Sequence, residues 1–303
     1  MIAPHLLRIS AEVEAARAAG GATVALESTV ISHGLPRPLN LETARRLEAI
    51  VRAGGAVPAT VAILKGVLCA GLSAAEIEEI AASEDVHKIS RRDLPLAVAR
   101  GWDGATTVAT TMWIARRAGI EVFATGGIGG VHHGALADVS ADLPELAATP
   151  MIVVCSGAKI VLDLAATREW LETHGVTVVG YGCDEMPSFY TRRSGLTVDV
   201  RVDEAREVAE IARARRELGL ESALLVTVPV PLEAEVDERM MRETLDEALR
   251  EAENRAVAGR ELTPFLLRRM SEQSGGATLR ANVALLENNA RVAAEIARAL
   301  LVE

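Results

Sequence analysis

The sequence is poor in cysteine, positive charge and long apolar runs, and each shortage argues against a class of protein. The three cysteines, Cys69, Cys155 and Cys183, form no CxxC pair, so neither a disulfide framework nor a thiolate zinc site is predicted and a reducing cytoplasm is expected. The net charge of −10 argues against a nucleic-acid partner, which requires a basic face. No apolar run approaches the ~18 residues of a membrane span, and the charged N-terminal segment is not expected to be a signal peptide.

Strand and helix patterns alternate along the chain and predict the fold class. Aromatic residues make up only 3% of a sequence that is 50% hydrophobic, so the core must be built from Ala, Val, Leu and Ile. Apolar strands followed by helical repeats favour a mostly parallel sheet with helices on both faces. We therefore predict a single α/β domain over residues 1–303, with three α/β/α layers and a helical C-terminal region from Val236 onwards.

The segment Met151–Lys159, MIVVCSGAK, combines an apolar strand, a tight turn and a lysine. Apolar positions at helical spacing follow it, so a helix is predicted to begin directly after the lysine. Lys159 would then lie at the carboxyl end of the sheet, where open α/β sheets bind ligands. Burial and the positive end of a helix dipole both disfavour an ammonium ion, and a neutral amine can attack a carbonyl or acetal carbon. A solvated lysine in the first helical turn is the alternative.

Two further side chains lie at the ends of apolar strands. Glu27 is near the end of the predicted strand Thr23–Thr29, where burial would raise its pKa and let it donate a proton near neutrality. A partly exposed strand-end glutamate is the alternative. Cys155 has no basic neighbour in sequence that would activate its thiol, so we interpret it as a small buried hydrophobe rather than a nucleophile.

Two segments are candidate phosphate sites. Gly104–Val108 is predicted to begin a long helix whose free N–H groups, dipole and threonine hydroxyls favour an anion, and Lys88 could supply the countercharge. Ordinary helix capping by threonine is the alternative. The glycine run GGIGGVHHG follows a strand but matches neither the dinucleotide nor the triphosphate motif. It is either a phosphate loop or a turn that lets the backbone approach a neighbour closely.

Carboxylates after the glycine run are candidates for metal binding. Asp138, Ser140 and Asp142 lie close together in the sequence, and one carboxylate beside water molecules suits a hard divalent cation. Carboxylates that complement a helix dipole are the alternative. The adjacent His132 and His133 would point apart on an extended loop, so a metal shared between them is not expected.

Taken together, several segments of the chain resemble the pseudouridine-5′-phosphate glycosidase family, also called indigoidine synthase A-like. They run in one order from about Ala25 to Asn289, and such a series is far more specific than a single glycine run. The matching segments are ALESTVISHGLPRP, GAVPATVAIL, HKISRRDLP, GATTVATTM, VFATGGIGGVHHG, DVSADLPEL, VVCSGAKIVLDL and TPFLLRRM.

The resemblance implies an enzyme that makes or breaks the C–C bond between uracil and ribose 5-phosphate, on an α/β/α sandwich that forms homotrimers. It implies that Lys159 is the nucleophile that forms an imine with C1′ of the sugar, and that Glu27 is the proton donor that helps to open the ribose ring. Asp138 would hold a divalent metal, Mn²⁺ in the family. The positions that match substrate contacts are Lys88, Thr107, Val108, Ser140, Ala141 and Asp142.

Three positions depart from the pattern of the family. His133 stands where an arginine is expected, the loop between His132 and Asp138 is shorter than usual, and Ser156 replaces a common alanine. The shorter loop bears on the metal assignment at Asp138, whereas a serine in place of an alanine is a small change.

Two classes of function follow from these residues. The first is a metal-dependent glycosidase that works through a lysine imine, because a C-glycosidic bond has no leaving oxygen or nitrogen for ordinary two-carboxylate chemistry. A glycosidase for a related C-nucleotide is a narrower alternative to it. The second is a non-catalytic sugar-phosphate-binding protein in which Lys88 and Gly104–Val108 hold an anion. The presence of both Glu27 and Lys159 in intact motifs favours the enzyme.

Overall fold

A single mostly parallel sheet runs through the computed structural model, which describes residues 2–133, 138–257 and 262–302. The strands in chain order are β1 (Leu7–Ile9), β2 (Thr23–Glu27), β3 (Val57–Leu64), β4 (Val67–Ala70), β5 (His87–Ile89), β6 (Gly104–Thr106), β7 (Val122–Ala124), β8 (Ile152–Cys155), β9 (Thr177–Tyr181), β10 (Val200–Val202) and β11 (Leu224–Thr227). Their order across the sheet is β1-β4-β3-β2-β7-β8-β11-β9-β10, and β6 pairs with β3 and β5. Among these strands, only β3–β4 and β3–β6 pair antiparallel.

Helices cover both faces of the sheet, so the predicted α/β/α architecture is confirmed. In chain order they are α1 (Ala11–Ala18), α2 (Leu39–Ala53), α3 (Ala74–Ala82), α4 (Leu94–Arg100), α5 (Val108–Arg117), α6 (Asp142–Ala148), α7 (Leu164–Thr173), α8 (Ala205–Glu217), α9 (Glu238–Asn254), α10 (Leu262–Gln273) and α11 (Ala277–Ala299). In the described parts of the chain, none of them is long and apolar enough to cross a bilayer.

The C-terminal helix α11 packs on the centre of the sheet. It contacts β2, β7 and β8 and lies between α2 and α8. Its buried positions are mostly Ala, Leu, Val and Ile. Small aliphatic side chains let a helix lie close to a sheet and fill the interior at native density, which is how a chain with few aromatics builds its core. The prediction that the helical C-terminal region packs on one face is confirmed for α11.

The helix after Lys159 begins later than its apolar pattern predicts. It starts at Leu164, where the Asp163 side chain accepts the N–H of Ala166 at 2.9 Å. A capping aspartate therefore sets the start of the helix. The prediction that a helix begins directly after Lys159 is wrong.

The helix predicted from Gly104 also begins later, at Val108. Gly104–Thr106 is instead strand β6, where Ala105 pairs with Lys88 of β5 and with Ala62 of β3. Sheet pairing outweighs the local helical pattern, as tertiary context commonly does. The N-terminus of the helix therefore lies at the end of the segment Gly104–Val108 and not at its start.

Candidate active site

Three neighbouring strands place polar groups at the same edge of the sheet. In the order β2-β7-β8, Glu27 ends β2, Thr125 follows β7, and Lys159 lies in the turn after β8. Because the strands are parallel, their carboxyl ends meet at one edge. The Thr125 hydroxyl donates to Glu27 Oε1 at 2.5 Å. The middle strand therefore supplies a hydrogen bond to the carboxylate of its neighbour.

Backbone hydrogen bonds hold the turn that carries Lys159. The Lys159 N–H donates to the Ile128 carbonyl, and the Ile128 N–H donates to the Gly157 carbonyl, both at 3.1 Å. The chain after β7 and the chain after β8 thus stay paired beyond the ends of the strands. Gly157 has a φ of +79°, and a Cβ there would lie 2.0 Å from the Pro187 carbonyl oxygen, so the turn requires glycine. These backbone hydrogen bonds position Lys159. The helix that follows begins only at Leu164, so the predicted effect of its dipole on the Lys159 amine does not apply.

One pocket brings together Glu27, Lys88 and Lys159. All three side chains are half-buried, so each is reached from solvent only in part. Apolar groups from the loop after β2, the chain after β9 and the two C-terminal helices close the pocket, and they include Val30, Phe189, Pro264, Leu267 and Leu286. The two residues predicted to be catalytic therefore lie at one site, together with the predicted countercharge.

The surroundings of Glu27 favour a carboxyl group that keeps its proton. Burial is the largest influence and raises the pKa of Glu27, as predicted from its strand-end position. The positive charges of Lys159 and Lys88 and the hydrogen bond from Thr125 lower this pKa, whereas the charge of Asp142 raises it. The net direction is upward, which suits a proton donor working near neutrality.

A wider cleft continues from the pocket towards solvent. Its volume is about 840 Å³, which lies within the range of sites that enclose drug-sized ligands. The cleft and the pocket share a set of lining residues that lie where the two meet: His33, Gly34, Lys88, Pro264, Leu267 and Asn282. A ligand held at Lys159 can therefore extend outward without leaving the protein surface.

Two polar residues of this boundary have no counterpart in the predicted site. His33 lies in the short π-helix Val30–Gly34, and burial together with the charge of Lys88 lowers its pKa. Asn282 is 7% exposed on α11. His33 lies in the same sequence motif as Glu27, ALESTVISHGLPRP, so the sequence could have suggested it as a site residue. Asn282 is far away in sequence and is brought to the pocket by the packing of α11.

Asp142 joins two predicted segments. Its carboxylate accepts the N–H of Ala109 in the first turn of α5 at 2.9 Å and the N–H of Gly129 at 2.8 Å. The side chain is buried, so it satisfies an orphan N–H group of a helix start. Asp142 thus ties the glycine run to the start of α5. The negative charge of Asp142 therefore complements the dipole of α5 as well as that of α6, the helix that begins at Asp142.

The predicted substrate contacts at Thr107, Val108, Ser140 and Ala141 lie on either side of this link. Thr107 precedes α5 and Val108 is its first residue, while Ser140 and Ala141 precede α6. They do not line the pocket itself. The structure therefore places them beside the Asp142 link rather than in the wall of the pocket that holds Lys159.

The glycine run lets backbone segments approach closely. A Cβ at Gly127 would lie 2.6 Å from the Phe189 ring, and one at Gly129 would lie 2.2 Å from Ser140 Oγ. Distances below 3.0 Å exclude a larger residue without rearrangement. Of the two readings of GGIGGVHHG, the structure favours close approach, with Gly126 and Gly127 forming part of the pocket wall.

The predicted metal residue, Asp138, is exposed. Its carbonyl accepts the His132 N–H at 2.9 Å, and residues 134–137, which make up most of the short loop, lie outside the described residues. No group of three His, Cys, Asp or Glu side chains that could hold a metal ion occurs among the residues described. With the described residues alone, a cation at Asp138 would take most of its oxygen ligands from water or substrate, which hard divalent ions can do.

Cys155 is fully buried at the end of β8, and burial raises the pKa of its thiol to about 12. Such a thiol stays protonated and is a poor nucleophile. The interpretation of Cys155 as a buried hydrophobe is confirmed.

Asn289 fastens α11 to both loops of the site. Its buried side-chain amide donates to the Thr125 carbonyl at 2.8 Å and to Ser156 Oγ at 3.1 Å. These partners directly follow β7 and β8. Ser156, which stands where alanine is common in the family, thus gives Asn289 a hydroxyl partner.

Asn289→Ala is expected to lower the free energy of unfolding by about 1–3 kcal/mol, because it leaves buried carbonyl and hydroxyl groups unpaired. The matched control is Asn288→Ala, whose half-buried side chain makes a longer bond of 3.3 Å to the Pro229 carbonyl. Urea denaturation of both variants measures the difference. Equal losses would show that the Asn289 hydrogen bonds add nothing specific.

Comparison with known protein families shows to which family the chain belongs. The family described as "Indigoidine synthase A like protein" matches residues 12–299. The chain belongs to the indigoidine synthase A-like family. This confirms the resemblance seen in the sequence motifs.

Curated relatives within the indigoidine synthase A-like family carry a glycosidase name. The protein from Geobacillus kaustophilus named "Pseudouridine-5′-phosphate glycosidase" is 51% identical over 97% of this chain and 98% of its own length. A protein of the same name from Hahella chejuensis is 52% identical over 96% of this chain and 97% of its own length. Similarity to enzymes at this level over nearly the whole chain identifies the chain as an enzyme.

Two solved structures of similar proteins share the fold. The prealnumycin C-glycosynthase AlnA, in complex with ribulose 5-phosphate, aligns with a TM-score of 0.91 and 40% identity over 99% of this chain and 98% of its own. An indigoidine synthase A-like protein from Thermotoga maritima aligns with a TM-score of 0.89 and 40% identity over 98% of this chain and 97% of its own. The mostly parallel sheet and the helical C-terminal region are thus features that this member shares with relatives of the family.

Proposed function

We propose that the protein is a pseudouridine-5′-phosphate glycosidase that reversibly cleaves the C–C bond between uracil and ribose 5-phosphate through an imine on Lys159. The observation that carries the proposal is that Glu27, Lys88 and Lys159 line one pocket. Curated relatives at 51% and 52% identity share the name "Pseudouridine-5′-phosphate glycosidase", which supports pseudouridine 5′-phosphate as the substrate. The alternative of a non-catalytic binding protein is disfavoured because an amine and a carboxyl group with a raised pKa lie at one site.

The first proposed step opens the ribose ring. The Lys159 amine, in its uncharged form, forms a bond to C1′ while the C1′–O4′ bond breaks, and Glu27 donates its proton to O4′. The raised pKa of Glu27 keeps that proton available. Covalent attachment then replaces one difficult bond cleavage by two easier steps.

The second step breaks the C–C bond. The nitrogen bonded to C1′ first loses a proton. Its lone pair then forms the C1′=N double bond as the bond from C1′ to C5 of uracil breaks, and C5 takes up a proton in turn. Water then adds to the imine and releases ribose 5-phosphate and the free amine. The overall reaction consumes one water per pseudouridine 5′-phosphate and needs no oxidant or reductant.

The phosphate group anchors the substrate at a distance from the bond that breaks. We assign its main contact to Lys88, a half-buried cation in the pocket wall. Thr107 and Val108 at the start of α5, and Ser140, Ala141 and Asp142 at the start of α6, are assigned as further substrate contacts. Binding energy from a remote group can position the reacting carbon at Lys159.

We assign Asp138 as the residue that would hold a divalent metal, with Mn²⁺ as the expected ion. When bound, such an ion would supply positive charge for the oxygens of the substrate. The exposed position of Asp138 leaves room for water ligands.

Removal of divalent metal with EDTA is expected to abolish turnover, and added Mn²⁺ is expected to restore it. Asp138→Asn should need more Mn²⁺ for half-maximal rate, because a neutral amide binds a hard cation more weakly than a carboxylate. Rate measurements against Mn²⁺ concentration test both. Full activity in EDTA, or an unchanged Mn²⁺ requirement in Asp138→Asn, would remove Asp138 from the account.

The direct test of function is incubation with pseudouridine 5′-phosphate followed by chromatography of the products. Uracil and ribose 5-phosphate are expected in equal amounts, and the two products should recombine when supplied alone. Binding of the substrate without any release of uracil would instead support the non-catalytic alternative. A homotrimer is also proposed, and sedimentation at three times the 32.1 kDa chain mass would support it.

A further inference from the structure

A positively charged cavity lies at the edge of the sheet opposite the catalytic pocket. Glu121 and Pro150 come just before β7 and β8, so they lie at the amino ends of these parallel strands, whereas Lys159 follows the carboxyl end of β8. A cavity of about 280 Å³ lies there, between the C-terminal ends of α5 and α8. It meets a neighbouring cavity of about 380 Å³ at Arg116, Pro150 and Glu221, which line both.

The charge around the two cavities is opposite in sign to that of the whole chain. Five arginines and three glutamates line them, although the chain carries a net charge of −10. Two of these glutamates already pair with an arginine. Arg216 donates to Glu121 Oε2 at 2.6 Å, and Arg91 donates to Glu145 Oε2 at 2.7 Å. The positive charge that is left in the smaller cavity therefore belongs to residues outside these ion pairs.

Arg116 and Arg215 supply that charge. Both line the smaller cavity, and neither forms an ion pair within the described parts of the chain. Their charges repel each other, since Arg116 and Arg216 both lower the pKa of Arg215. Glu221 also lines the cavity and offsets one positive charge. Two like charges without an acid between them are costly unless an anion joins them.

The Arg215 guanidinium has hydrogen-bond donors without an acceptor. Its Nε and Nη1 atoms are buried, and no residue that the structure describes accepts a hydrogen bond from either atom. A buried charged donor without a partner loses its hydration and gains nothing in return. The negative end of the α8 dipole explains a cation at this position, but it does not provide these two atoms with an acceptor. The arrangement is typical of a site that binds an anion.

We propose that this arginine cavity, lined by Arg116, Arg215 and Arg216, binds a small phosphate-bearing anion, either inorganic phosphate or a phosphomonoester. Planar guanidinium groups hold a phosphate by paired, charge-assisted hydrogen bonds. The anion would accept from Nε and Nη1 of Arg215 and place negative charge between Arg215 and Arg116. The arginine cavity lies at the other edge of the sheet from Lys159, so this proposal does not depend on the catalytic function proposed above.

The binding test is titration calorimetry with inorganic phosphate in a chloride buffer at constant ionic strength. Arg215→Met should weaken one phosphate site per chain by about tenfold to a hundredfold, because charge-assisted hydrogen bonds are lost. The matched control is Arg206→Met, which removes the same charge from an exposed position on α8 that pairs with Glu210 and should keep wild-type binding. Glu221→Gln should tighten binding, since it removes a negative charge from the cavity. All three variants retain the catalytic pocket.

Thermal unfolding separates phosphate binding from a structural role of Arg215. Without phosphate, Arg215→Met should unfold at the wild-type temperature or above it, because the variant removes a buried charge that has no partner. Added phosphate should raise the Tm of the wild-type and Arg206→Met proteins more than that of Arg215→Met, since a ligand stabilises the state that binds it. Tighter binding of glycerol 3-phosphate than of inorganic phosphate would identify a phosphomonoester as the ligand, and the reverse order would identify free phosphate.

Three results would overturn the proposal. The first is equal phosphate binding by the wild-type and Arg215→Met proteins. The second is an equal loss in Arg206→Met, which would mean that phosphate responds only to overall charge. The third is dissociation of an oligomer by Arg215→Met with phosphate binding unchanged, which would assign the cavity to a carboxylate of another copy of the chain.

Discussion

Replacement of Lys159 by methionine is expected to lower kcat by at least about 10³-fold, because removal of a covalent nucleophile leaves only binding and electrostatic help. Methionine keeps most of the side-chain length and apolar contact while removing the amine. The turn around Lys159 is held by backbone hydrogen bonds to Ile128 and by Gly157, so the variant should fold. Steady-state rates with pseudouridine 5′-phosphate measure the loss.

The other two lysines of the chain, Lys65 and Lys88, are the matched controls. Lys65 is exposed in the turn between β3 and β4, so Lys65→Met should keep wild-type rates. Lys88→Met should raise KM by about tenfold to a hundredfold, because a charge-assisted contact to phosphate is lost, while retaining measurable kcat. If Lys65→Met loses as much activity as Lys159→Met, or if Lys159→Met keeps its activity, the assigned roles are wrong.

Glu27→Gln is the second change with a large expected effect. It removes the proton donor but keeps the shape of the side chain, and general acid catalysis contributes about 10²–10⁴-fold. The Thr125 hydroxyl beside it can still hydrogen-bond to the amide oxygen. The variant should therefore remain folded and bind ribose 5-phosphate, with the loss confined to kcat. A wild-type kcat in Glu27→Gln would exclude its role as the acid.

The pH dependence gives a second test of Glu27. A donor must hold its proton, so kcat/KM falls as the pH rises through its pKa, and the raised pKa of Glu27 places this fall closer to neutrality than for an ordinary glutamate. The Thr125 hydrogen bond lowers that pKa. Thr125→Val removes the bond, so the alkaline fall should move to higher pH. A shift of this fall in kcat/KM to lower pH would mean that a group other than Glu27 causes it.

Local patterns predicted the parts of the fold that depend on local chemistry. Alternating apolar strands and helical repeats predicted the mostly parallel sheet. The capping box of Ser73 and Glu76 at the start of α3 is likewise a local feature, formed by residues three apart in sequence. The boundaries at Gly104 and Leu164 were misplaced because strand pairing and an aspartate cap, respectively, decided them. The short apolar run of β4 carries little strand signal of its own, and its pairing with β1 and β3 makes it a strand.

The candidate site shows the same division. Glu27 and Lys159 could be predicted because parallel strands bring their carboxyl ends to one edge and each residue lies near such an end. Asn282 and Asn289 could not, because only the packing of α11 across β2, β7 and β8 carries them there. Nor could spacing show that Asp142 reaches Ala109 of another helix. Contacts between residues far apart in sequence are what local pattern does not contain.

The most direct test of the account is to trap the imine. The protein is incubated with ribose 5-phosphate, reduced with borohydride, digested and mapped by mass spectrometry. Because Lys65, Lys88 and Lys159 are the three lysines of the chain, the modified position can be assigned without ambiguity. The account predicts a reduced sugar-phosphate adduct on the peptide that contains Lys159. An adduct on Lys88 or Lys65 with none on Lys159 would contradict it.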